Sequence, residues 1–228
     1  MIGRVALLVT FKKINQNHKA YHEVIYEIGG NLKMTIKDKI QECYKTQKFA
    51  RITRDVTDDC ERISRGYIVD YSKYFVAIQE TDDFKLLGFN IFPTQHISRI
   101  RYNNHDRYYD KIMAFENEKD KIGLKTKVDL TSWKTIFKTF QKKKMNIIIE
   151  CEDPDIGSFT IGMVKRVTDK SVFILYFDAA GFFDDKPIRI DYSEISKIMF
   201  DDRYIDIFSK YTRERKKKKT TANNVYDS

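Results

Sequence analysis

The sequence predicts an α+β protein built from two tandem units of about 96 residues, each a helix followed by a small β-barrel. Three observations lead there. The stretch "ISRIRYNNHDRYYDKI" (Ile97 to Ile112) returns as "ISKIMFDDRYIDIF" (Ile195 to Phe208). Each copy opens with apolar residues at helical spacing and then changes to the alternation of strands. Each copy also places a glycine inside its second predicted strand.

Sliding the chain on itself by 96 positions puts Ile40 on Ile136, Tyr44 on Phe140, Ile52 on Ile148, Gly66 on Gly162, Ile78 on Ile174 and Arg107-Tyr108 on Arg203-Tyr204. The "ISRI" and "ISKI" blocks need an offset of 98, as expected of a duplication with a two-residue insertion in one turn and a compensating deletion in another. The resulting division is an N-terminal extension at 1–30, a first helix-barrel unit at 31–117, a second at 118–212 and a basic, disordered tail at 213–228.

In the first unit Ile36, Ile40, Cys43 and Tyr44 fall on one helical face; in the second Trp133, Ile136, Phe137 and Phe140 do. Thr35 and Thr131 are the expected N-caps, since a hydroxyl there accepts a bond from an otherwise unpaired amide. Strands follow at "FARITRDV" and "MNIIIECE", "RGYIVDY" and "IGMVKRV", "YFVAIQE" and "SVFILYF". "TDDFKLLG" and "FDAAGFFDDKP" read as turns, and the closing strands end in "ISRIRY" and "ISKIMF". Gly66 and Gly162 mark a bulge or bend, and a short closing helix carries each Arg-Tyr pair. That pair reads most simply as structural, with the ring packed and the arginine reaching an acidic loop or a carbonyl.

A helix leading about five short strands, with a glycine in the second, resembles the Sm and Sm-like proteins and, more loosely, SH3-like barrels. The resemblance is one of architecture. The positions six and ten residues after the glycine, which help to form a base pocket in Sm proteins, hold Ser72 and Val76 in one copy and Thr168 and Val172 in the other. The resemblance therefore implies the fold and not the RNA pocket.

Among 228 residues, 42% are hydrophobic and 14% aromatic, enough for substantial cores. No window approaches the roughly 18 apolar residues of a membrane span, and "VALLV" is too short for a signal sequence, so a cytoplasmic protein with no membrane partner is expected. Cys43, Cys60 and Cys151 are odd in number and unlike a zinc pattern. The net charge of +9 is concentrated in "RERKKKK" (Arg213 to Lys219), while acidic pairs dot the rest. In the extension, "RVALLVTF" suggests a strand and "YHEVIYEI" a helix, on which His18 and His22 have metal-compatible spacing but face solvent in the simpler reading.

No phosphate loop, nucleophile elbow or Cys/His cluster is present, so the expected function is a non-enzymatic, cofactor-free protein-interaction module of adaptor, inhibitor or immunity type. Its partner-binding residues would be Phe84, Phe182 and Phe183 in the loops, and Arg107, Tyr108, Arg203 and Tyr204 in the repeated passage. The alternative is an RNA or single-stranded nucleic-acid binder using Lys134, Lys138, Arg213, Arg215, Lys216, Lys217, Lys218 and Lys219 on phosphates. A third reading, a metal-dependent nuclease, rests on Pro154-Asp155 followed by Asp184-Asp185-Lys186, and needs the second carboxylate and the lysine on a strand beside the first carboxylate.

Overall fold

The computed structural model describes residues 34–215. The expected elements at 4–11 and 21–28, His18, His22, and the lysines Lys216, Lys217, Lys218 and Lys219 lie outside the described residues. Helix α1 (Ile36–Thr46) begins at Thr35, whose hydroxyl accepts from the Asp38 amide while the Asp38 carboxylate accepts from the Thr35 amide. Five strands follow: β1 (Phe49–Thr57), β2 (Cys60–Tyr71), β3 (Phe75–Asp82), β4 (Lys85–Pro93) and β5 (Ile97–Arg101). Helix α2 (Asn104–Phe115) closes this half. The second half holds α3 (Trp133–Lys143), β6 (Asn146–Cys151), β7 (Ser158–Val167), β8 (Ser171–Tyr176), β9 (Ile188–Asp191), β10 (Lys197–Phe200) and α4 (Arg203–Ser209).

Ser132, not the expected Thr131, caps α3: its hydroxyl accepts from the Thr135 amide, whereas Thr131 donates through both its amide and its hydroxyl to Asp129. The stretch expected as a turn at "TDDFKLLG" is mostly strand. Asp82 pairs with Lys85, so only Asp83 and Phe84 turn, both left-handed at φ 44° and 59° as a tight antiparallel hairpin requires.

The ten strands form one open antiparallel sheet in the order β5-β1-β2-β3-β4-β10-β6-β7-β8-β9, rather than two separately closed barrels. The halves join where β10 pairs with β4, setting Ile198 opposite Ile91 and Phe200 opposite Phe89. All four side chains are buried, so the joint itself becomes core. The largest apolar cluster combines α3 (Ile136, Phe137, Phe140) with Phe75, Ala77, Phe89 and Ile91 of the first half and Val164, Ile174, Ile198 and Phe200 of the second. A second cluster places Ile40 and Cys43 of α1 on Ala50, Ile52, Ile68, Val76 and Ile78. Of the helical faces expected from spacing, Ile40, Cys43, Ile136, Phe137 and Phe140 are buried, Ile36 and Trp133 are half-buried, and Tyr44 stays exposed.

Gly66 and Gly162 share φ +157° and the same packing. A β-carbon on Gly66 would stand 2.0 Å from the Gln79 carbonyl oxygen, and one on Gly162 would stand 2.1 Å from that of Leu175. Both second strands shift register against the third just beyond the glycine, at Ile68/Asp70 and Val164/Arg166. Close backbone approach at a bend therefore explains these glycines.

Among the described residues, no helix is long and apolar enough to cross a membrane.

Candidate functional site

Helix α4 is short, and its position is set by backbone contact. Asp201 adopts a left-handed conformation (φ 48°), and Asp202 caps the helix by accepting from the Tyr204 amide at 2.8 Å. Gly88 at the start of β4 lets this turn come close, because a β-carbon there would lie 2.6 Å from the Asp202 Cα. On its inner side α4 buries Ile205 against Ile148, Ile161 and Phe177, with Phe208 half-buried beside them. The opposite side remains outward: Tyr204 is 54% exposed and Ile207 is exposed on the helix, and Tyr211, in the turn after it, is 70% exposed.

Two adjoining depressions share Arg203 and Ile207. One, of about 460 Å³, is walled by Tyr204, Phe208 and Tyr211. The other, of about 770 Å³, runs between α4 and the start of β4, along Leu86, Leu87 and Gly88. Its charged groups are Lys85, Lys125, Arg203 and Lys210 against Asp201 and Asp206, so cations outnumber carboxylates around an apolar floor. Burial, which strips the carboxylate of water, pushes Asp201 above the ordinary carboxylic-acid value; Thr126 and Lys125 offset only part of this.

Arg203 and Tyr204 therefore lie in this groove, but not as a packed structural pair. Arg203 forms no ion pair among the described residues, and Tyr204 meets Phe208 edge-on at 5.6 Å. The equivalent residues on α2 are also outward: Tyr108 is 68% exposed, and Arg107 bonds only Asn104 while reaching over Tyr102. The packing role expected of them falls to their neighbours. Asp106 receives two bonds from Arg101, Tyr109 stacks on Phe84 and tilts against Phe49, and Asp110 accepts from Tyr67, Tyr102 and Lys119. The spacing could have shown this, since Asp106, Asp110 and Met113 make one helical face.

The loop phenylalanines are partly spent on packing. Phe84 remains half open on Tyr109, Phe183 meets Phe177 edge-on, and Phe182 lies beneath two arginines, Arg213 at 4.2 Å and Arg215 at 5.4 Å. Those arginines do not extend freely. The Phe183 amide donates to the Arg213 carbonyl, the Arg213 amide to that of Gly181, and Arg215 pairs with Asp178 at 2.7 Å. Lys134 is paired with Asp169, while Lys138 is exposed. Lys134 also borders a third depression, of about 500 Å³, where Tyr74, Trp133 and Tyr192 gather.

The nuclease pattern does not assemble on neighbouring strands. Asp155 sits in the turn between β6 and β7, and Asp184, Asp185 and Lys186 in the loop between β8 and β9. Among the described residues, no group of three or more His, Cys, Asp or Glu side chains is placed to hold a metal ion.

No family model, curated protein or solved structure matches the chain.

Proposed function

We propose that the chain is a non-enzymatic binding protein of two tandem units, each a helix leading five strands of the shared open sheet, and that the outer side of α4 engages an acidic, amphipathic segment of a partner protein. One observation carries the reading: α4 and the turn after it expose a second apolar stripe, Tyr204 and Ile207 on the helix and Tyr211 just past its end, after the helix's inner side is already buried in the core. A contiguous apolar face rimmed by charge marks an interaction site more often than a solvated surface. The excess of Lys85, Lys125, Arg203 and Lys210 over Asp201 and Asp206 selects a negatively charged occupant.

The tandem reading is supported by the strand orders β5-β1-β2-β3-β4 and β10-β6-β7-β8-β9, by equivalent glycines at equivalent bends, and by one leading helix in each half. A reducing cytoplasm suits three cysteines that are all buried and unpaired; burial, helped by the Glu42 charge, pushes the Cys43 thiol up to about 11 against the pull of Lys48 and Lys39.

The test compares capture by the full-length protein with capture by Ile207→Asp, after nuclease treatment. Ile207 is exposed, so the substitution leaves thermal stability nearly unchanged. A partner retained by the wild type and lost by the variant supports the proposal. A partner retained equally by both removes α4 as the site.

A further inference from the structure

The strand register sets three arginines side by side. Arg51 on β1 is directly opposite Arg65 on β2 and directly opposite Arg101 on β5, so the row Arg101, Arg51, Arg65 crosses three adjacent strands on one face. Arg99 follows two residues along β5, opposite Thr53. Directly opposed like charges destabilise a sheet, and a fold gains nothing from such an arrangement without a counter-charge. One carboxylate serves the row: Asp106 accepts from Arg101 Nε at 2.9 Å and Nη2 at 2.8 Å. Among the described residues, Arg51, Arg65 and Arg99 have no carboxylate partner. Partial burial and the charges of Arg65 and Arg101 together pull the Arg51 guanidinium below its ordinary value, with Asp106 offsetting part of the effect.

We propose that this face of β5, β1 and β2 binds the phosphodiester backbone of a single-stranded nucleic acid through Arg101, Arg51 and Arg65. The site is separate from the α4 groove and does not depend on it. Strands lie about 4.8 Å apart, so the three side chains start within about 10 Å of one another, room for two or three phosphates. Guanidinium forks match phosphate oxygens in a bidentate way that lysines do not. Exposed Ile63 lies beside Arg65 on the same face of β2 and offers an apolar surface for a base.

The surroundings argue against a duplex. Four residues along the strands from Arg51, about 13 Å away, Asp55 stands opposite Glu61. A duplex carries phosphates on both sides of a major groove about 12 Å wide, which would bring its second strand over that acidic pair. A single strand crossing the sheet avoids it.

Fluorescence anisotropy with labelled uridine and thymidine oligomers of about 20 nucleotides, and a duplex of the same length, tests this on the full-length protein from about 50 to about 200 mM salt. Wild type is expected to bind the single strands more tightly than the duplex. Arg51→Gln/Arg65→Gln is expected to weaken single-strand binding at least about tenfold and to flatten the salt slope by about 1.4, two contacts at about 0.7 each. Lys142→Gln, exposed on α3, is the control and leaves binding unchanged. Loss through misfolding is distinguishable, because relieving cross-strand repulsion should raise the Tm of the double variant rather than lower it. No binding by the wild type, equal binding by the double variant, preference for the duplex, or displacement by polyglutamate at equal charge would each overturn the proposal, the last by assigning the row to acidic peptides.

Discussion

Arg54 of β1 and Glu152, just past β6, form a two-bonded ion pair across the two halves, Nη1 to Oε2 at 2.6 Å and Nη2 to Oε1 at 2.9 Å. Arg54 is 1% exposed, lies over the Phe92 ring at 4.8 Å, and is the largest fully buried polar side chain in the fold. Lys197 joins from β10, at 2.9 Å from Glu150 and 3.9 Å from Glu152. A buried pair contributes little net stability against an apolar replacement, but removing one partner strands the other charge without water. Glu152→Ala should therefore cost about 3 to 5 kcal/mol, and Arg54→Met/Glu152→Leu should recover most of that loss. Urea unfolding of the wild type and these two variants measures the difference.

The same pair gives a pH dependence. Burial alone would raise the Glu152 carboxyl, yet the bonds and charge of Arg54, with Lys197 and Arg62, bring it below its ordinary value. A folded value depressed below the unfolded one means that the unfolded chain takes up the proton first. The stabilisation is therefore complete above the unfolded pKa, near 4.5, and is lost as pH falls through the folded value. Acid titration of stability should fall less steeply in Arg54→Met/Glu152→Leu than in the wild type.

Gly66→Ala and Gly162→Ala should each be severely destabilising, by about 3 kcal/mol or more, because a methyl group would overlap a backbone carbonyl oxygen on the neighbouring strand. Strand β3 or β8 must move for the methyl to fit. Gly123→Ala is the control, since nothing lies within 4 Å of the position its β-carbon would occupy. Thermal unfolding of the three variants separates loss of glycine freedom from steric overlap.

These glycines, and the helical faces of Ile40 and Ile136, were legible because local spacing alone determines them. The joint was not. Nothing near Ile91 or Ile198 in the sequence says that β4 and β10 pair, since pairing partners distant in sequence leave no local periodicity. The same limit hid Arg54 with Glu152, which are 98 residues apart, and the arginine row, whose members alternate correctly on three strands but align only once the register is known. In the α4 groove, Arg203 and Tyr204 stood out by repetition, while Lys85 and Leu87 are brought to it by the close approach of Gly88 to Asp202, and Lys125 joins from the segment before α3.

Asp201 is held in a conformation and an environment that both suit asparagine better. Its left-handed backbone is one asparagine adopts readily, and burial penalises its charge. With the folded value raised above the unfolded one, the folded state binds the proton more tightly. Asp201 therefore lowers stability as pH rises from the unfolded value through the folded one, and the full penalty is present at neutral pH. Asp201→Asn should raise the Tm at pH 7, by about 2 °C for a chain of this size, and the gain should shrink as pH approaches 4.

The segment Arg213–Arg215 is expected to hold the loop between β8 and β9. Its backbone exchanges two hydrogen bonds with that loop, its guanidinium groups cover Phe182, and Arg215 pairs with Asp178. A chain ending at Arg215 retains all of these contacts, and one ending at Thr212 retains none. Amide hydrogen exchange at Phe183, whose N–H donates to the Arg213 carbonyl at 3.2 Å, should accelerate by about tenfold or more in the shorter chain, as expected when a local opening loses its closing bond. Exchange in the buried strand β3 should not change, because this segment makes no contact with it among the described bonds. Equal protection at Phe183 in the two chains would mean that Phe183 against Phe177 and the Asp178 bonds to Ala180 and Phe182 are enough to hold the loop.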